Sequence, residues 1–130
     1  MAKVTGIGGV FFITEDTGKS KQWYKENLGI DSGEYGGQFE WRDKDQPEQV
    51  KVTAWSPFPA NTEYFNPAQK HMVNYRVDNL EEMLNQLKSK DVKILGGPEA
   101  FEYGKFAWIE DLNGYRVELW EPIDAPFLED

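Results

Sequence analysis

The sequence predicts an α+β fold built from two consecutive βαβββ modules. Three observations carry that expectation. A strand, a capped helix and three further strands are read twice in the same order; the halves register at an offset of about 63 residues; and the chain closes on a hairpin with its own turn residues. Placing Val10 over Val73 brings Glu15 onto Asp78 and Tyr24 onto Leu87. The offset exceeds the roughly 20 to 50 residues of solenoid repeats, and identity between the halves is low, so the duplication rests on order and patterning.

The first module is expected over residues 1–57. Val4 to Thr14 reads as a strand, and its GIGG start admits close approach of another backbone or a ligand, because glycine carries no Cβ. GIGG lacks the glycine spacing and the lysine of a phosphate loop. Glu15 to Leu28 reads as a helix capped by Asp16 or Thr17, with Trp23, Tyr24 and Leu28 as its apolar face and Gly29 as its stop. Ile30 to Tyr35, Gln38 to Asp43 and Gln49 to Ser56 read as three short strands separated by turns. Residues 58–70 carry prolines and no period, as expected of a linker.

The second module spans 71–122, with 123–130 as a tail whose acidic end, Glu129 and Asp130, reads as solvated. His71 to Val77 is a strand. Asp78 or Asn79 then caps a helix in which Leu80, Met83, Leu84 and Leu87 fall at i, i+3, i+4 and i+7. Val92 to Leu95, broken by GGP, leads into Glu99 to Tyr103. Lys105 to Glu110 and Tyr115 to Glu121 form the closing hairpin around DLNG, where Asn113 and Gly114 tolerate positive φ. On its last strand Tyr115, Val117 and Leu119 share one face, suited to a core, while Arg116, Glu118 and Trp120 share the other, suited to a cavity.

Composition narrows the function classes. With 14 Lys and Arg against 23 Asp and Glu, the formal charge of -9 repels phosphate backbones and anionic membrane surfaces, so neither nucleic acid nor membrane is an expected partner. No aliphatic and aromatic run is longer than the four residues of Val10 to Ile13, too short to span a bilayer. Zero cysteines exclude disulfides and thiolate chemistry and make the cytoplasm the expected compartment. Aromatic residues are common at 15%; part of them belongs to the core, and a large pocket lined with rings would also use them.

GGVFF with WYKENLGI, MVNYRVDNLEEML and DLNGYRVELWEP, in that order and spacing, resemble the vicinal-oxygen-chelate superfamily of glyoxalase I, bleomycin-resistance proteins and extradiol dioxygenases. Leu112 and Tyr115 stand where that family's closing hairpin has Pro and Asn. The resemblance implies paired U-shaped antiparallel sheets around a cleft. It also implies metal ligands on the first, fifth and eighth strands, with a further Glu on the fourth in glyoxalase I. Those positions fall on Gly9, Met72 and Glu118 and near Thr53 or Trp55, so only one carboxylate remains, and no metal or other cofactor is expected. Shifting the fifth strand by one residue would offer His71 instead. That slip turns Val73, Tyr75 and Val77 to the wrong face, which favours His71 as an ordinary strand-edge residue.

The expected ligand-binding set on the cleft face is Phe11, Trp55, Met72, Asn74, Arg76, Arg116, Glu118 and Trp120. Core packing or a dimer interface is the plain alternative for the rings, and an ion pair with Arg76 or Arg116 for Glu118. The leading expectation is a homodimeric protein of the bleomycin-resistance type that binds a small aromatic or cationic organic molecule without a metal. Alternatives are a lyase, isomerase or dioxygenase-like enzyme using Glu118 as base or metal ligand, and an interaction subunit without a small ligand.

Overall fold

The apolar stripe of the second helix is where a hydrophobic core is built. In a computed structural model, which describes residues 1–128, seven strands and two α-helices occur, an α+β structure as expected. The expected solvated end at Glu129 and Asp130 lies outside the described residues. Strands β1 (Val4–Thr14), β2 (Gly37–Asp43) and β3 (Gln46–Pro59) belong to the first half, with helix α1 (Thr17–Leu28) between β1 and β2. Strands β4 (His71–Val77), β5 (Ile94–Phe101), β6 (Gly104–Glu110) and β7 (Arg116–Pro122) follow, with α2 (Leu80–Ser89) after β4. Among the described residues, no helix is long and apolar enough to cross a membrane.

Two compact units emerge, and the boundary between them cuts β1 and β4. One holds Met1–Gly8 with the chain from Val73 on; the other is Gly9–Met72. In the first, β4, β7, β6 and β5 are neighbours in that order. Leu80, Met83 and Leu84 of α2 pack with Val77, Ala107, Leu119 and Ala2, while Leu87 is half-buried against them. Asn79 caps α2, its Oδ1 accepting from the Glu82 N–H at 3.0 Å, and Glu121 Oε1 accepts from the Leu80 N–H at 2.8 Å. Those two bonds satisfy donors at the helix start that have no intrahelical partner. The Glu82 carboxylate meets the terminal ammonium of Met1 at 3.3 Å.

The hairpin forms as the turn chemistry dictates. Asp111 Oδ1 accepts from the N–H groups of Asn113 and Tyr115, both at 2.9 Å, and of the Asn113–Gly114 pair only Gly114 takes positive φ, at 85°. Tyr115 precedes β7 and is 54% exposed, so the core face of that strand is Val117 and Leu119 only. The segments flanking GGP merge into one strand, β5, whose register to β6 shifts between Ile94 and Glu99.

In the second unit β2 pairs antiparallel with β3, and β3 pairs parallel with β1. Asp16 Oδ1 caps α1 by accepting from Lys19 N–H at 3.0 Å, and Gly29 ends it at φ 71°. The expected strand at Ile30 to Tyr35 does not form; only an isolated bridge between Gly33 and Gly36 occurs there. Asp31, Ser32, Gly33 and Glu34 give that stretch no apolar alternation to bury. At the β2–β3 turn the Asp43 carboxyl is held below its usual value, first by the Asp45 N–H at 2.8 Å and then by Lys51 at 3.2 Å. The stability this contributes is present above the unfolded carboxylate pKa and is lost as pH falls through the lowered folded value.

Leu84 is 4% exposed at the centre of the α2 contact. Leu84→Asp is expected to lower the unfolding free energy by about 3–5 kcal/mol, because it both empties packed volume and buries a charge. Urea denaturation measures it, and an unchanged midpoint would place the helix stripe elsewhere.

Candidate functional site

Register across β4, β7 and β6 sets the site. Asn74 and Arg76 of β4 lie beside Glu118 and Trp120 of β7, which in turn lie opposite Trp108 and Phe106 of β6. Residues in register share a face, so two rows form: Asn74–Glu118–Trp108 and Arg76–Trp120–Phe106. Tyr75, Val77, Ala107, Ile109, Val117 and Leu119 alternate with them and turn to the α2 core. Asn74, Arg76 and Glu118 are each 2% exposed, which demands hydrogen-bond partners for all three.

Glu118 finds them on its two flanking strands. Its Oε1 accepts from Asn74 Nδ2 at 2.6 Å and its Oε2 from Trp108 Nε1 at 2.8 Å. Both donors are uncharged, and these bonds fix the carboxylate's direction. The Asn74 Oδ1 is buried with no hydrogen-bond partner and occupies the space a Cβ on Gly8 would need. The glycine at position 8 of the GIGG start therefore answers to the side chain of Asn74. Arg116 lies over the Trp108 ring, 5.5 Å from its centroid, a cation–π arrangement.

In the second row, Arg76 Nη1 and Nη2 donate to Asp124 Oδ1 and Oδ2 at 2.8 and 2.6 Å, and the guanidinium lies 5.0 Å from the Trp120 ring centroid. Trp120 stacks on Phe106 at 5.8 Å and donates its indole N–H to the Tyr103 carbonyl at 2.9 Å. Arg76, one of the two partners foreseen for an ion pair with Glu118, has Asp124 as its forked partner.

The remaining expected residues lie in the other unit and divide between two faces. Phe11 packs on Phe58 at 5.5 Å, and Phe58 on Tyr64 and Phe65 at 5.6 Å each. Trp55, expected on the face of Phe11, turns the other way, against Phe12 and Tyr24 at 5.3 and 5.0 Å. The parallel β1–β3 register is the reason: Trp55 pairs with Val10 and takes the parity of Val10 and Phe12. Met72 is fully buried. His71 is exposed at the start of β4 and stacks on Phe12 at 6.0 Å.

The donor set does not fit a catalytic divalent metal. Both oxygens of Glu118 face N–H donors, Gly9 and Met72 offer no ligand atom suited to such an ion, and among the described residues no three His, Asp or Glu side chains gather. A separate groove of about 450 Å³ lies between α2 and β5, floored by Leu80, Leu84, Pro98 and Ala100, and holds none of the expected residues.

Sequence reasoning missed Trp108, Phe106, Asp124 and Phe127. The first two were within reach, because a turn at DLNG that sets Glu110 opposite Arg116 also sets Trp108 opposite Glu118 and Phe106 opposite Trp120. Asp124 and Phe127 follow the last strand in a stretch with no period, and no local signal aims them at Arg76 and Trp120.

The family model described as the Glyoxalase/Bleomycin resistance protein/Dioxygenase superfamily matches residues 6–119. No curated protein matches the chain by sequence. A variant of Streptomyces coelicolor methylmalonyl-CoA epimerase in complex with 2-nitronate-propionyl-CoA superposes with a TM-score of 0.71 at 12% identity, covering 92% of this chain and 99% of its own. Methylmalonyl-CoA epimerase from Mycobacterium tuberculosis gives 0.64 at 18% identity over 97% of this chain and 93% of its own. The Mn(II)-bound glyoxalase from Novosphingobium aromaticivorans gives 0.62 at 14% identity over 93% of this chain and 40% of its own. Likeness at these identities establishes the shared fold.

The Glu118 bonds have a direct consequence for stability. In Glu118→Gln one acceptor oxygen becomes an amide NH₂ facing either Asn74 or Trp108, so a buried donor loses its acceptor. The expected loss is about 1–3 kcal/mol by thermal or urea unfolding. Wild-type stability in that variant would mean that the carboxylate is not held as described.

Proposed function

The chain belongs to the Glyoxalase/Bleomycin resistance protein/Dioxygenase superfamily, and on that premise we propose that it binds a small aromatic or cationic organic molecule, without a catalytic metal, using Glu118 and the rings beside it. The observation that carries this reading is the Asn74–Glu118–Trp108 row. It is a buried carboxylate directed by two uncharged donors, with Trp120 and Phe106 in the next row. Ring surface together with one oriented negative charge is the chemistry that selects a planar cation or a strong hydrogen-bond donor. A second reading, a lyase or isomerase with Glu118 as base, is favoured by the same fixed orientation of the carboxylate, since proton transfer depends on it.

Trp fluorescence on the wild-type protein tests the first reading. Aromatic cations are expected to bind about 5- to 150-fold more tightly than neutral isosteres of the same shape. Equal affinities would remove Glu118 from recognition, and turnover of a bound compound would promote the enzyme. Dialysis against manganese or zinc is expected to leave substoichiometric metal; a saturable site lost in Glu118→Ala would overturn the metal-free part.

A homodimer is proposed as the assembled form. Helix α1 buries none of its residues, and Trp23 and Leu28 are 54% and 60% exposed, apolar surface that a second copy would cover. Sedimentation is expected to give twice the 15.0 kDa chain mass, and a concentration-independent monomer would exclude it.

A further inference from the structure

The short segment after β7 presents two chemical groups to the second row. Asp124 places both carboxylate oxygens on the fork of Arg76, at 2.8 and 2.6 Å. Three residues later, the Phe127 ring meets Trp120 edge-on at 5.7 Å and Tyr103 at 5.9 Å. What receives them is a guanidinium 2% exposed, lying over Trp120, with Phe106 stacked beneath that indole and Tyr103 beside it. A planar fork matched to a carboxylate, adjoining a floor of rings, is the arrangement that recognises an arene bearing a carboxylate.

The chain fills this arrangement with two separate residues, Asp124 just before a single 3-10 turn, Ala125–Phe127, and Phe127 at its end; the turn's backbone bonds are local, Phe127 N–H to Asp124 C=O and Leu128 N–H to Ala125 C=O. Ile123, which joins the turn to β7, is half exposed and is tied by its N–H to the Tyr103 carbonyl at 3.1 Å. The backbone of Arg76, by contrast, is held within the β4 register beside Trp120. The receiving half is therefore built on strands, and the occupying half on one short turn.

We propose that Arg76 with the Trp120–Phe106 floor is a binding site for a small aryl carboxylate, and that Asp124 and Phe127 occupy it as the protein's own substitute for that ligand. The external carboxylate takes the place of Asp124 on the guanidinium, its ring takes the place of Phe127, and the turn swings away. The proposal goes beyond the Glu118 reading and does not rest on it, because it concerns a ligand of opposite charge and Glu118 enters neither its geometry nor its test.

The experiment is a rescue in the full-length chain. Asp124→Gly removes the internal carboxylate and is expected to lower Tm. Benzoate is expected to raise the Tm of that variant by about 5 °C, more than acetate does, with benzamide without effect. By Trp fluorescence the variant should bind benzoate about 10-fold or more tightly than wild type, since ligand and Asp124 no longer compete. Adding Arg76→Gln to Asp124→Gly should abolish both effects. Equal rescue by acetate and benzoate, or no rescue of a folded Asp124→Gly protein, overturns the proposal and makes the turn a structural latch. If Asp124→Gly does not fold, Asp124→Asn, which keeps shape and one acceptor, is titrated in its place. Absence of a preference for benzoate over benzamide there overturns the proposal equally.

Discussion

A carboxylate buried in the middle of three strands constrains everything around it. Removing Glu118 from water costs several kcal/mol unless its oxygens regain hydrogen bonds, and in mid-sheet only the flanking strands are near enough to supply them. Strand β4 brings Asn74 and β6 brings Trp108, each in direct register with Glu118. A slip of one residue on either side turns the donor to the opposite face and leaves the carboxylate against apolar side chains. The polar row is thus a register lock for β4, β7 and β6. Its demand extends to β1, where Asn74 leaves no room for a side chain at Gly8.

The strict alternation of β7 lets one strand serve two environments. Val117 and Leu119 join the packed contact with α2, whereas Glu118 and Trp120 belong to polar and aromatic rows with Asn74, Trp108, Arg76 and Phe106. Arg76 obeys the same rule as Glu118: a buried charge persists where partners meet it in good geometry, here a forked carboxylate and an indole face. Removing one partner of such a pair costs more than the pair itself contributes, because it leaves an uncompensated charge in the interior.

The unit formed by Gly9–Met72 is organised differently. Its helix buries no residue fully, and its rings form chains of tilted and edge-on contacts, Phe11 to Phe58 to Tyr64 on one side and Tyr24 to Trp55 to Phe12 on the other. Large rings can cover such surface with few neighbours, which explains how a half with a weakly patterned helix is still packed.

The sequence by itself determined the α+β class, each helix cap to one of two adjacent residues, the leucine stripe of α2, the closing hairpin and the two faces of β7. All of these depend on neighbours within a few residues or on a period of 2 or 3.6. Its low point was Ile30 to Tyr35, where single polar and apolar residues imitated a strand too weak to pair. For the site, parity alone gathered Asn74, Arg76, Glu118 and Trp120 onto one face. The same parity misplaced Trp55, because the phase of β3 relative to β1 is set by the parallel pairing of Val10 with Trp55, a contact 45 residues apart. The donors that hold Glu118, the carboxylate that meets Arg76 and the ring that meets Trp120 were decided only by tertiary structure. Each is a partnership across strands or beyond the last one, and the requirement that a buried polar group find a partner states that one exists without saying which residue the fold will bring.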